Sequence, residues 1–487
     1  MAVLNNLKPE KVFGFFEEIS QIPRGSGNTE KIAQYCLDFA VKRNLKAIKD
    51  EGGNVIIYAP GTEGYENSEP VIIQGHMDMV CEKTLDCTKD MDKEGIDLCT
   101  DGEYVWADGT TLGGDDGIAI AFMFAILDSD DIPHPPIEAV ITRDEETGMY
   151  GAIGFDGNSV KGNKMLNIDS EEEGILTVSC AGGISAHCAF ELPQQYKSVS
   201  HMYEISVTGL LGGHSGADIG KNRLNAFRIL SEPLSLMGED CLFGSISGGG
   251  KMNVIPQNAT IIVGSDKDIL DELEGIVEKC NAKKLGGDAD PGASFAVREL
   301  GDGEYTGKFF ESPAVLLEIR EFLKNAPTGV QKWSEDIEGL VESSLNLGVM
   351  ELSGNILSAD FLIRSNSDGG KTVVVDVLRS FAESIKGEIS LSDFELSAEY
   401  PAWEYRKDSQ LRDIMAEVYR EVYGKEPVIS AIHAGLECAI FSSKLKDADM
   451  VSIGPNIHDI HTPEERMEVA SVARTWEYVK ALLKAMK

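Results

Sequence analysis

The sequence predicts an α/β domain built on a mostly parallel sheet and interrupted by an inserted α+β domain. Three observations lead there. Short apolar runs rich in β-branched residues, such as NVIIYAP and PVIIQG, alternate with helical stretches in the first part of the chain, as strands covered on both faces do. After AGGIS the texture changes to strands that alternate apolar and polar residues, the pattern of half-exposed antiparallel strands. After FELSAEYPAWEY the first texture returns. The expected boundaries are 1–183 and 397–487 for the interrupted domain and 184–396 for the insertion.

KPEKVFGFFEEIS and TEKIAQYCLDFAVKRN predict two helices joined by the turn PRGSGN. NVIIYAP and PVIIQG follow as strands, GIAIAFMFAIL as a buried helix, and IEAVITRDEE and KMLNIDSEEEG as further strands. In the insertion, MYEISVTGL, ATIIVGS, ASFAVREL, GVMELSG and ILSADFLIRS read as strands. NRLNAFRILSEPLSLM and VVVDVLRSFAESIK read as helices between them. The closing stretch reads as the helix SQLRDIMAEVYREVYG, the strand PVISAI, the helix LECAIFSSKL, the strand MVSIGP and a last helix. Thr462-Pro463-Glu464-Glu465 has the spacing of a capping box with proline at the first helical position.

A chain of 487 residues can bury a large core in two domains. Its 42% apolar and 26% charged content is that of a globular protein. The first residues lack the basic and apolar regions of a signal peptide, and no run approaches the roughly 18 apolar residues that cross a bilayer. Nine scattered cysteines, an odd number without CxxC, argue against a disulfide framework. A cytoplasmic protein is therefore expected. The net charge of −37 disfavours nucleic acid and anionic membrane as partners. It reflects either a solvated acidic surface or carboxylates gathered to hold cations, and only their positions discriminate.

Metal-type side chains recur where apolar strands end. His76 and Asp78 follow PVIIQG, Glu145 and Glu146 follow IEAVITRD, and Asp169 follows KMLNI. His458, Asp459 and His461 follow MVSIGPNI. In parallel α/β sheets ligands bind beyond the carboxyl ends of the strands. Asp115 and Asp116 open the helix after TTLGG, and helix starts lie on that same face. Singly, each has a bland reading. His76 with Asp78 is a cap or surface pair, GDDG an acidic helix-capping turn, DEETG a solvated loop, and His461 a turn residue. The three glutamates of NIDSEEEG are expected to be solvated. Together, histidine with carboxylates and no cysteine suits zinc or a similar divalent ion. The ligands are too many for one ion. Two ions about 3.5–4 Å apart, sharing a carboxylate, take about five residues, and a further carboxylate beside them serves as base and then acid.

The series GHMDMV, GGDDGIA, DEETG, NIDSEEEG, GGHSGADI, NVIP and HDIHTPEE runs in order over essentially the whole chain. It resembles the dizinc metallopeptidase family of carboxypeptidases, aminoacylases and dipeptidases, and within that family the dipeptidases. The resemblance implies a zinc-peptidase-like catalytic domain with the insertion as its lid. It implies that His76 and Asp169 hold one metal, Glu146 and His461 the other, and Asp115 bridges them. Asp78 then accepts the other ring N–H of His76 and touches beyond it only solvent or substrate, and Glu145 is the general base and acid. A cis peptide between Asp115 and Asp116 is expected on the same ground. His214 of GGHSGADI matches a donor to the oxyanion. Asn253 and Arg364 match residues that bind the substrate backbone or its terminal carboxylate. On the residues alone, His214 reads as a loop histidine and Arg364 as a strand-end surface residue. HAGLECAIF replaces the family's commoner GG-T/S-D segment; there Gly435 keeps a close backbone approach to substrate, while His433, His458 and Asp459 have no assigned role. His134, His187 and His201 match no motif and read as structural.

The implied protein is a cytoplasmic dipeptidase acting on unblocked L-dipeptides, including Xaa-His substrates of the β-alanyl-histidine type. It takes two divalent ions, zinc in the first place, with cobalt or manganese as alternatives. Its partner is a small peptide substrate, and it dimerises through the lid. The rivals are an aminoacylase acting on N-acyl amino acids at the same site and a non-catalytic acidic binding protein on the same fold.

Overall fold

The runs that carry the candidate ligands are strands buried along almost their whole length: Val71–His76, Ile137–Thr142, Lys164–Asn167 and Asp449–Ser452. A strand buried on both faces has no polar face to alternate with. They are seen in a computed structural model that describes residues 3–238, 240–301 and 303–487. The chain divides into two compact units. One comprises Met1–Cys180, Trp403–Ala431 and Leu436–Lys487, and the other Ala181–Ala402 with Ile432–Gly435.

The first unit is mixed α/β. Its four buried strands pair in parallel in the order Ile137–Thr142, Val71–His76, Lys164–Asn167, Asp449–Ser452. The register sets His76 opposite Thr142 and Gln74 opposite Asn167, so the carboxyl ends share one edge. Lys46–Lys49 and Val55–Ala59 extend the sheet antiparallel on one flank, and Ile175–Cys180 and Val428–Ile432 continue it on the other. The helix Gly114–Leu127 is apolar around its whole circumference and accordingly buried. Its Phe124 ring stacks on Phe39 at 3.8 Å between centroids.

The second unit is antiparallel throughout its large sheet. The strand order is Ser294–Glu299, His201–Thr208, Ala259–Ser265, Leu242–Gly248, Val341–Ser353, Ile356–Ser365, Gly182–Glu191, Ser390–Tyr400. The helices Ala226–Leu234, Leu270–Ala282, Pro313–Asn325 and Asp368–Ser384 share one apolar core with it, through residues such as Phe227, Ile276, Ile319 and Leu378.

Two features differ from the sequence reading. Leu98–Thr100, Tyr104–Ala107, Arg466–Glu468 and Ile457–His458 form a separate four-stranded sheet. The capping-box spacing at Thr462 opens no helix: Arg466–Glu468 is a strand and the helix begins at Val469. The reason is chemical. The Glu465 carboxylate accepts from backbone N–H groups of Leu112, Gly113 and Gly114, not from that of Thr462. Among the described residues, no helix is long and apolar enough to cross a membrane.

Candidate metal centre

His76 is the last residue of its strand, and Glu145, Glu146 and Asp169 follow the ends of the two neighbouring strands. Gly75 permits a close approach there: a Cβ on it would meet Asp116 Oδ2 at 2.4 Å and Ala119 Cβ at 2.5 Å. Asp115 and Asp116 have non-helical φ/ψ although they lie within Gly114–Leu127, and the peptide between them is cis. His461 sits on a turn with φ 62°.

These elements bring five side chains together around Asp115. Its Oδ1 lies 3.0 Å from His76 Nε2, and its Oδ2 lies 3.1 Å from His461 Nε2. Asp169 Oδ1 is 3.5 Å from His76 Nε2, and Glu146 Oε2 is 3.1 Å from His461 Nε2. Each oxygen of Asp115 thus faces a different histidine, and each histidine has a second carboxylate beside it. Three groups of donor atoms lie within 4.8 Å of one another: His76–Asp116–Asp169, His76–Glu145–Glu146 and Asp115–Glu146–His461.

Asp78 belongs to none of these groups among the described residues. Its Oδ1 is 3.5 Å from His76 Nδ1, the ring nitrogen turned away from Asp115. It is also fully buried, so the expected contact with solvent is not made. Its remaining acceptor capacity goes to Glu145 N at 3.0 Å, Glu146 N at 3.3 Å and the Ser26 hydroxyl at 2.8 Å. His76 Nδ1 lies nearer the Asp78 backbone carbonyl, at 3.2 Å, and the Asp78 carboxylate pins the backbone of both glutamates. Asp116 is likewise buried and accepts from His76 N at 3.1 Å.

The electrostatics call for a cation. Burial of His76 opposes its charged form, yet hydrogen bonds to Asp115, Asp169 and Asp78 raise it well above the ordinary histidine range. Hydrogen bonds to Asp115 and Glu146 push His461 up to about 11. Burial pushes Glu145 well above, and Asp169 to about 6. Glu146 Oε1 is buried without a hydrogen-bond partner, as fits an oxygen shaped for a ligand. The oxygen and nitrogen donor set suits zinc, cobalt or manganese.

The glutamates of NIDSEEEG are not all solvated as expected. Glu172 is exposed, but Glu171 is half-buried and its carboxyl is pushed up to about 8 by burial beside Asp115 and Asp169. Glu173 pairs with Arg474 at 2.6 Å. His458 is exposed and packs edge-on against Tyr104, and Asp459 faces Arg466 at 3.4 Å. His134 is buried on Pro135 O at 2.7 Å, His187 pairs with Asp360, and His201 pairs with Glu299.

Sequence reasoning passed over Glu437. It is wholly buried and accepts from Gln74 Nε2 at 2.6 Å and Thr142 Oγ1 at 2.5 Å, while Asn167 donates to Gln74. This network ties the ends of three ligand-bearing strands beneath the cluster. The available signal was a charged residue directly before the apolar run CAIF.

In the second unit, Arg364 is buried and not the surface residue its strand-end position suggests. It donates to the Tyr400 hydroxyl at 3.0 Å, and its Nη2 lies 3.2 Å from His214 Nε2. Gly216 N and Ala217 N point at His214 Nδ1 at 3.3 Å, while the Arg364 guanidinium, which can only donate, faces Nε2. Burial and the Arg364 charge hold His214 below the ordinary histidine range. Asn253 is exposed at a turn, and its carbonyl accepts from Ser215 N at 2.9 Å. Gly435 is half-buried in the return Ile432–Gly435. His433 is buried, held between Ser344 Oγ at 2.7 Å and Asn366 Oδ1 at 3.0 Å.

A mixed α/β unit whose strand tips gather carboxylates around two histidines has the form of a metallopeptidase centre. The chain belongs to Peptidase family M20/M25/M40, which matches residues 72–485. It is similar to the cytosol non-specific dipeptidase of Escherichia coli (strain K12), 35% identical over 494 residues, with 99% of each chain covered. The crystal structure of aminoacylhistidine dipeptidase from Vibrio alginolyticus matches with a TM-score of 0.87 at 35% identity, covering 99% of this chain and 98% of that one. Aminopeptidase PepT from Bacillus cereus ATCC 10987 shares the fold, with a TM-score of 0.56 at 16% identity over 99% of each chain.

Proposed function

We propose that this protein is a cytoplasmic dimetal dipeptidase that hydrolyses unblocked L-dipeptides, Xaa-His among them. The observation that carries the reading is Asp115, whose two oxygens each face a histidine backed by a second carboxylate. His76 and Asp169 would hold one ion, His461 and Glu146 the other, with Asp115 between them, and zinc is the first choice. Similarity to two dipeptidases over nearly the full length supports the substrate class.

When bound, the two ions polarise the scissile carbonyl and acidify water. Glu145, its backbone held by Asp78, removes the proton from the attacking water. It then returns that proton to the leaving amine. His214 donates to the developing oxyanion. Arg364 offers the substrate's terminal carboxylate a guanidinium already oriented by Tyr400. Asn253 and Gly435 line the approach of the substrate backbone. No covalent intermediate is required.

A homodimer through the second unit is part of the same proposal. Among the described residues, Ser390–Tyr400 is the last strand of its sheet beside Gly182–Glu191 and leaves an edge, and Val373 and Val377 are exposed on the helix Asp368–Ser384. Light scattering tests it. The activity is tested by loading the protein with zinc and comparing Ala-His with N-acetyl amino acids. Faster turnover of the dipeptide is expected; faster turnover of the acylated compounds makes the protein an aminoacylase instead.

A further inference from the structure

Three segments deliver the candidate ligands that are furthest apart in sequence: 76–78, 112–116 and 461–465. Strand pairing does not join them. Two side chains that belong to none of the donor groups do. Arg24 is 1% exposed and Glu465 is 2% exposed. Arg24 Nη1 donates to Met77 O at 3.2 Å and Asp78 O at 3.0 Å, and its Nη2 donates to Gly113 O. Glu465 Oε2 accepts from Leu112 N at 2.8 Å and Gly113 N at 3.0 Å. Its Oε1 accepts from Gly114 N at 2.8 Å and Asp115 N at 3.4 Å.

Gly113 is the shared joint. Its carbonyl serves Arg24 and its N–H serves Glu465. Its φ is +64°, and a Cβ there would stand 2.5 Å from Arg24 Nη2 and 2.7 Å from Met79 Sδ. Arg24 Nε is buried without a hydrogen-bond partner, so the bonds made by its two Nη groups carry the compensation for burying this charge. Moving any one of the three segments breaks bonds to a buried charge, so their mutual spacing is stiff. Among the described residues, these partners of the two side chains lie outside the strands of the sheet that carries His76, in the turn after Val71–His76 and at the start of the helix Gly114–Leu127.

Resting on the dimetal reading, we infer that Arg24 and Glu465 are positioning residues that set the spacing of His76, Asp115 and His461 for two ions. Arg24 fixes the His76 segment to the Asp115 segment. Glu465, four residues after His461, fixes the His461 segment to the same peptide.

The test is metal binding by the whole protein. Glu465→Gln keeps the shape but replaces one accepting oxygen with a donor that opposes the backbone N–H groups. Arg24→Lys keeps the charge but loses the fork that reaches three carbonyls. Cobalt is titrated into metal-free wild type and each variant, following its visible absorption, with thermal unfolding of the metal-free forms alongside. Each variant is expected to bind cobalt about 10–100-fold more weakly and to show an altered absorption spectrum. The double variant should lose less than the product of the single losses, because both act through Gly113. Glu465→Asp, which retains both oxygens, should recover part of the affinity, and it carries the test if Glu465→Gln does not fold. Wild-type affinity and spectrum in folded variants overturn the inference, as does a loss that merely tracks lower stability of the metal-free protein. If wild type itself binds no pair of ions, it is the dimetal reading that fails.

Discussion

Two pairs of histidines, one in each unit, have opposite surroundings. In the first, His76 and His461 are pushed upward by the carboxylates that crowd them. In the second, His214 is pushed down by burial and the Arg364 charge, and His433 falls to about 3 for the same reasons. One cluster has an excess of acceptors and calls for a cation. The other has an excess of donors and suits an anion. A dipeptide at the point of hydrolysis presents a carbonyl for a Lewis acid, a developing oxyanion and a terminal carboxylate.

Removing the shared acceptor of the first unit should have the largest effect. Asp115→Ala is expected to abolish dipeptide hydrolysis and to lower zinc content from two ions to one or none, as read by elemental analysis. Two ions retained with activity intact would break the assignment of Asp115 as the bridge. Glu145→Gln should separate chemistry from metal binding: kcat falls about 10²–10⁴-fold while both ions stay. Loss of an ion in that variant would turn Glu145 into a ligand. In the donor-rich unit, Arg364→Lys keeps a charge and loses the fork. A charge-assisted hydrogen bond contributes about 1.5–3 kcal/mol, so kcat/KM should fall about 10–100-fold, mainly through KM. Dipeptides amidated at the C-terminus should lose that discrimination between wild type and variant. A fall in kcat alone would move Arg364 away from the carboxylate.

The acceptor-rich cluster was largely legible in the sequence because its side chains follow apolar strands, and buried parallel strands end at a common edge. His76, Glu146 and Asp169 meet for that reason, while Asp115 comes from a helix start and His461 from a turn. What holds them was less legible. The links from Asp78 to Glu145 N and Glu146 N join a side chain to backbone groups far along the chain, and a backbone N–H has no sequence signature. Glu465 shows the same limit. Thr462-x-x-Glu465 has capping-box spacing, but spacing does not say which N–H groups a carboxylate satisfies. The donor-rich cluster was legible only through family resemblance. His214 and Arg364 sit in a loop and at a strand end, and nothing local to either requires their side chains to lie 3.2 Å apart.

The smallest expected effect tests the buried neutral histidine of the second unit. His433 is held to about 3 by burial, with Arg364 adding to it. An unfolded histidine titrates near 6.5. Between these values the unfolded chain binds a proton that the folded protein refuses, so His433 favours folding above about pH 6.5 and loses that contribution steadily as pH falls towards 3. His433→Asn removes the titration together with the bonds to Ser344 and Asn366. The variant should therefore be less stable than wild type at pH 7.5, with a smaller gap at pH 5.5. One pH unit below the unfolded value corresponds to about 1.4 kcal/mol, and the gap should narrow by that order. Urea unfolding of both proteins at the two pH values measures it. A gap that stays constant would mean that His433 takes up a proton while folded, and the contrast between the histidines of the two units would then narrow to His214 alone.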